Sequence, residues 1–105
     1  MAWVYLLIAS GAEIVWAFTL KASDGFTKPM MVALNVTALL VAVCFLVQAM
    51  RVLPLGTAYA VWTGIGVAGA AIAGILLLGE SIAPFRLVAI CVIVAGVAML
   101  KLADG

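Results

Sequence analysis

The sequence predicts an all-α membrane protein with four transmembrane helices in one domain over residues 1–105. Three observations carry that reading. Hydrophobic residues make up 70% of the chain and charged residues only 9%, far too little polar surface for a soluble domain of this length. The apolar residues fall into four runs, about 2–20, 30–50, 57–78 and 84–102, and a helix needs about 20 such residues to cross a bilayer core. The connections KASDGFTKP (21–29), RVLPLG (51–56) and GESIA (79–83) are too short to build a domain outside the membrane.

The first run, AWVYLLIASGAEIVWAFTL, lacks a basic leading segment, exceeds a signal-peptide core in length and carries Glu13 at its centre. It is read as a retained helix. Helical spacing puts Ser10, Glu13, Trp16 and Ala17 on one face, with Leu6 and Leu20 extending it. The second run carries Asn35, Thr37 and Gln48. Asn35 and Gln48 lie within about two turns of its ends, where they are expected to reach interfacial water.

The third run differs in kind. Tyr59, Trp62, Thr63 and Gly66 share a face at i, i+3, i+4 and i+7, and Gly64, Gly66, Gly69 and Gly74 alternate with alanines. Small residues let helix backbones approach closely, Gly64-Ile65-Gly66 is an expected bend point, and Thr57 marks the expected helix start. Tyr59 and Trp62 fit either an interfacial aromatic belt or an inward-facing lining. The fourth run has no central polar residue; Ala89 and Gly96 share a face and form an expected pairing seam, with Pro84 at the helix entry.

Several functions are disfavoured. There is no histidine, no Walker-type phosphate loop, no nucleophile with a base beside it and no basic cluster for nucleic acid. Cys44 and Cys91 sit far apart inside apolar runs and suggest neither a disulfide nor a metal site. No enzyme activity, cofactor or metal is expected. Lys21, Lys28 and Arg86 fall on one side of the membrane and Arg51 and Lys101 on the other, so the positive-inside rule gives almost no preferred orientation.

Glu13 is therefore the residue that needs a function. A carboxylate at the bilayer centre costs several kcal/mol, and its structural reading is a protonated group bonded to a neighbouring helix. Its functional reading is a proton or cation site, because desolvation and a like charge nearby both favour the neutral form of a carboxyl group and suit it to proton exchange near neutral pH. Four helices cannot enclose a pathway and also shield it from lipid, whereas two copies would give eight helices and a facing Glu13 pair.

The segments GAEIVWAFTLKASDGFT, LPLGTAYAVWTGIG and LLLGES resemble those of the small multidrug resistance (SMR) transporters, and most of all the guanidinium exporter subtype. The resemblance covers essentially the whole chain and rests on E-x-x-W in the first helix with G-T-A-Y-A-V-W-T-G-I-G in the third; the multidrug subtype typically lacks the tryptophan standing here as Trp16. It implies an antiparallel, dual-topology homodimer in the inner (plasma) membrane of a prokaryote. In it, Glu13 from each copy binds either protons or a small guanidinium-like cation. By the same resemblance Trp16 shapes the site, and Tyr59 and Trp62 line the cavity, with Tyr59 coupling occupancy to conformation.

One departure stands out. A serine on the second helix usually helps to order the glutamate, and the matching position here is Ala42; Ser10, where the family often has glycine, would supply a replacement hydroxyl. The alternatives are a quaternary ammonium or multidrug cation exporter, one half of a paired heterodimer, or a non-transporting membrane subunit, which would have no need of Glu13.

Overall fold

The computed structural model describes residues 1–104; the side chain of Asp104 and the whole of Gly105, the last residue of the expected domain, lie outside the described residues. Four helices account for almost the entire chain: α1 (Ala2–Ala22), α2 (Pro29–Met50), α3 (Leu55–Leu78) and α4 (Pro84–Asp104). All four are long and apolar enough to cross a membrane.

The helix ends follow local chemistry. Helix α1 continues to Ala22 and stops where Ser23 caps it: the Ser23 hydroxyl donates to the Leu20 carbonyl (2.8 Å) and accepts from the Phe26 N–H (3.1 Å). Asp24, Gly25 and Phe26 then all take positive φ, a left-handed turn that reverses the chain before Pro29 opens α2. Helix α3 starts at Leu55, two residues ahead of the expected Thr57, because Pro54 at the N-cap (φ −56°, ψ 147°) already gives its carbonyl to Ala58 N–H at 2.9 Å. Its far end closes on Gly79 in the left-handed region (φ 68°), where a side chain would be disfavoured. Beyond that turn Glu80 pairs with Arg86 (Oε1 to Nη2, 2.6 Å), tying the end of α3 to the start of α4.

The helices lie in a row, α2–α1–α3–α4: α1 packs on α2 and α3, α4 packs on α3, and α2 barely touches α3. The Cα envelope measures 41 × 34 × 16 Å, a flattened arrangement. The best-packed cluster joins Leu6 and Ala9 of α1 to Leu46 and Ala49 of α2 and Ala58 and Val61 of α3. On α2 the buried residues Asn35, Ala38, Ala42, Leu46 and Ala49 recur at three- and four-residue steps, a mostly small-residue stripe.

Apolar side chains gain nothing by leaving lipid for a helix surface, so close approach and hydrogen bonds decide helix association. The α1–α3 contact shows this. Ala9 meets Trp62, Glu13 meets Gly66 and Ile14 meets Gly69, so the two helices run in the same direction side by side. Gly64 likewise receives Val97 of α4, whose Cγ2 would stand 2.7 Å from a Cβ at that position. Helix α3 runs without a break through Gly64–Gly66, and these glycines act as contact surfaces. The expected seam on α4 is not used within the chain: Ala89 is exposed and a Cβ on Gly96 would meet nothing within 4 Å. Cys44 and Cys91 are free and exposed.

A side chain at Gly69 would collide with Ile14. Gly69→Val is expected to destabilise the fold by about 1–3 kcal/mol, the usual result of overpacking, and Ile14→Ala in the same chain is expected to recover part of the loss. Thermal unfolding in detergent checks both; additive losses would mean that Ile14 does not fill the space over Gly69.

Candidate functional site

Glu13 lies in the second half of α1, on the side that meets α3. Its carboxylate rests directly on Gly66, and a Cβ at residue 66 would occupy the space that the carboxylate fills. Glycine there makes room for another residue's side chain, and its own backbone has no need of it. Oε2 of Glu13 is buried with no hydrogen-bond partner, so neither Ser10, Trp16, Tyr59 nor Trp62 donates to it within the chain. A buried, unpartnered carboxylate oxygen is costly, and an added proton or a cation would relieve it.

The aromatic residues take separate positions on α1 and α3. Trp62 donates its Nε1–H to the carbonyl of Ala9 at 3.2 Å, across the α1–α3 contact. Its ring meets Tyr59 edge to face, centroids 5.7 Å apart at 86°, the arrangement favoured by aromatic quadrupoles. Tyr59 is 53% exposed on the single chain. Trp16 is half-buried, and its backbone carbonyl is where α1 is tied to its neighbours.

Two expectations need correction. Asn35 does not reach interfacial water: it is 4% exposed, and Nδ2 donates to the Trp16 carbonyl at 2.8 Å and to Thr19 Oγ1 at 3.3 Å. A carboxamide within lipid is better satisfied by a facing helix than by extending toward a distant interface. Ser10 does not offer its proton to Glu13: it is fully buried, and Oγ donates to the Leu6 carbonyl at 2.8 Å, the common back-bond of helical serine. Ala42 is also buried and adds no hydroxyl. Gly66 and Asn35 were not among the expected site residues. Gly66 had a signal, since it shares the face of Tyr59 and Trp62 seven residues on; Asn35 had none beyond being polar in an apolar run.

Among the described residues no group of three potential ligands is placed to hold a metal. Four membrane-length helices, one of them carrying a glutamate whose Oε2 is buried and unpartnered, define a multi-pass membrane protein with an ionisable residue inside a spanning helix. The model for the small multidrug resistance protein family matches residues 1–93, and the chain belongs to that family. It is 55% identical to proteins of Citrobacter freundii and Salmonella typhimurium and 52% identical to one of Escherichia coli K12, each named guanidinium exporter, over 97% of both chains in every case.

Because the end of the Glu13 side chain is free to turn, Gly66→Ala is expected to leave the helices in place and swing the carboxylate away from α3. Labelling of Glu13 by a hydrophobic carbodiimide should become faster than in the unmodified protein. An unchanged rate in a folded variant would mean that the carboxylate does not rest on Gly66.

Proposed function

We propose that this protein is a proton-coupled antiporter that exports guanidinium and small substituted guanidinium cations, working as an antiparallel dual-topology homodimer in the inner membrane of a bacterium. The observation that carries the reading is the Glu13 carboxylate, buried on Gly66 with Oε2 unpartnered. It is supported by relatives at 55% identity that bear the name guanidinium exporter.

Guanidinium is planar, carries its charge on a fork of N–H donors and matches a carboxylate in bidentate fashion. Aromatic faces add cation–π attraction. In this reading the ionised Glu13 pair holds the cation, and Tyr59 and Trp62 wall the site. Trp62, with its N–H engaged on Ala9, presents its ring and not its donor. Trp16 shapes the site from α1. Protonated, the same carboxylates are neutral and release the cation, so the two ligands exclude one another and their gradients are coupled. Tyr59 is 53% exposed on the single chain and the small-residue face of α4 at Ala89 and Gly96 is unused, which supports a second copy as the missing wall.

Protein reconstituted in liposomes is expected to move guanidinium against protons, and a quaternary ammonium, which has no N–H to donate, much less. Glu13→Gln should reduce guanidinium-driven proton movement to background while the protein stays folded. In the unmodified protein, affinity for guanidinium should weaken as pH falls, because protonation removes the negative charge that the cation needs. An affinity flat between about pH 5 and 8 would mean separate sites.

Orientation is tested independently. Lys21, Lys28 and Arg86 balance Arg51 and Lys101 so closely that an added lysine pair should fix insertion, one way from the first loop and the other way from the C-terminal end. Each fixed form alone should lose transport, and co-expression of the two should restore it. Transport by a single fixed orientation would rule out the antiparallel dimer.

A further inference from the structure

We infer that Asn35 is a positioning residue for Glu13, acting through the backbone of α1 as one end of a two-point clamp whose other end is Trp62. The inference rests on the proposed role of Glu13 and names a residue that this role does not itself require.

Trp62 and Asn35 each donate a side-chain hydrogen bond to a backbone carbonyl of α1, and the two carbonyls bracket Glu13. From α3, Trp62 Nε1–H meets the carbonyl of Ala9, four residues before Glu13. In an α-helix that carbonyl is also the acceptor of the Glu13 backbone N–H. From α2, Asn35 Nδ2–H meets the carbonyl of Trp16, three residues after Glu13. The two turns that carry the carboxylate are thus held at both ends, by different helices.

The α2 end is reinforced. Thr19 accepts from Asn35 at 3.3 Å, and its own hydroxyl lies 2.9 Å from the Val15 carbonyl and 3.1 Å from that of Trp16. Asn35 and Thr19 are each 4% exposed, so neither has water to fall back on. Elsewhere α1 meets α2 largely through alkyl surface, including Ala38 and Ala42, and such a contact tolerates rotation or sliding at little cost in lipid. Turning α1 by one residue would rotate Glu13 by about 100° about the helix axis, off Gly66, and would leave a buried carboxamide without an acceptor. Asn35 therefore selects the one rotation of α1 that seats Glu13 on Gly66.

A bidentate cation depends on where both carboxylate oxygens stand, whereas a proton needs only one. Loss of the clamp should separate the two ligands. Asn35→Leu is expected to weaken guanidinium binding about fivefold, the value of one net hydrogen bond, with proton binding measured without the cation unchanged. Asn35→Gln, which keeps the amide donor, should recover part of the affinity. Carbodiimide labelling of Glu13 should be faster in Asn35→Leu, and this readout needs no substrate. Should Asn35→Leu not purify as folded protein, Thr19→Val is read in the same way, with the same sign and a smaller size. If the unmodified protein binds no guanidinium, the proposed function fails and the labelling rate alone decides the role of Asn35. A folded Asn35→Leu whose labelling rate equals that of the unmodified protein, or whose proton and cation affinities fall together, overturns the inference.

Discussion

A carboxylate at the middle of a membrane helix has to be given room by a neighbour, and here the neighbour is a single glycine. The contact of Glu13 with Gly66 lies on the line along which α1 meets α3. Ile14 against Gly69 continues the same line, and Trp62 on the Ala9 carbonyl begins it. Those helices in turn carry the rest: α2 is held on the other flank of α1, and α4 hangs on α3 through Gly64 and the Glu80–Arg86 pair. The contact gives space without polar compensation. In the proposed transport role this would be an advantage, because a permanent partner for the carboxylate would compete with both the proton and the cation.

The four helices were legible in the sequence because hydropathy responds to the bilayer, and the bilayer is the strongest constraint on this chain. The role of glycine and alanine on α3 was legible as close approach, though not which side chain each glycine would receive. Interhelical hydrogen bonds were not legible. Asn35 reads as an ordinary polar residue near a helix end until α1 is laid beside it, sixteen to nineteen residues earlier in the chain. Ser10 shows the opposite error: a hydroxyl one turn from a carboxylate suggests a pair, yet in a helix the nearer acceptor is the carbonyl four residues back. The start of α3 moved for a similar local reason, since the extended Pro54 already supplies the first acceptor.

Ala42 in a buried position on α2 has a physical consequence for the site. Without a hydroxyl there, the polar tie between α1 and α2 falls to Asn35, about two turns along α2 from Ala42, and its partners on α1, the Trp16 carbonyl and Thr19. A tie to the helix backbone constrains where the carboxylate stands without constraining how its end is turned. The Glu13 carboxyl thus keeps rotational freedom that a direct side-chain bond would remove.

The chain has little interior beyond the cluster that joins α1, α2 and α3. Even the middle helices α1 and α3 expose residues such as Leu7, Val15, Val67 and Leu76, and α4 exposes most of its described residues. Such a molecule cannot hold much of its free energy of assembly within one chain. Whatever covers a face adds stability according to the logarithm of its concentration in the membrane. Resistance to unfolding then becomes a property of the mixture of protein and lipid, rising as the membrane is crowded with the covering molecule and falling as lipid dilutes it.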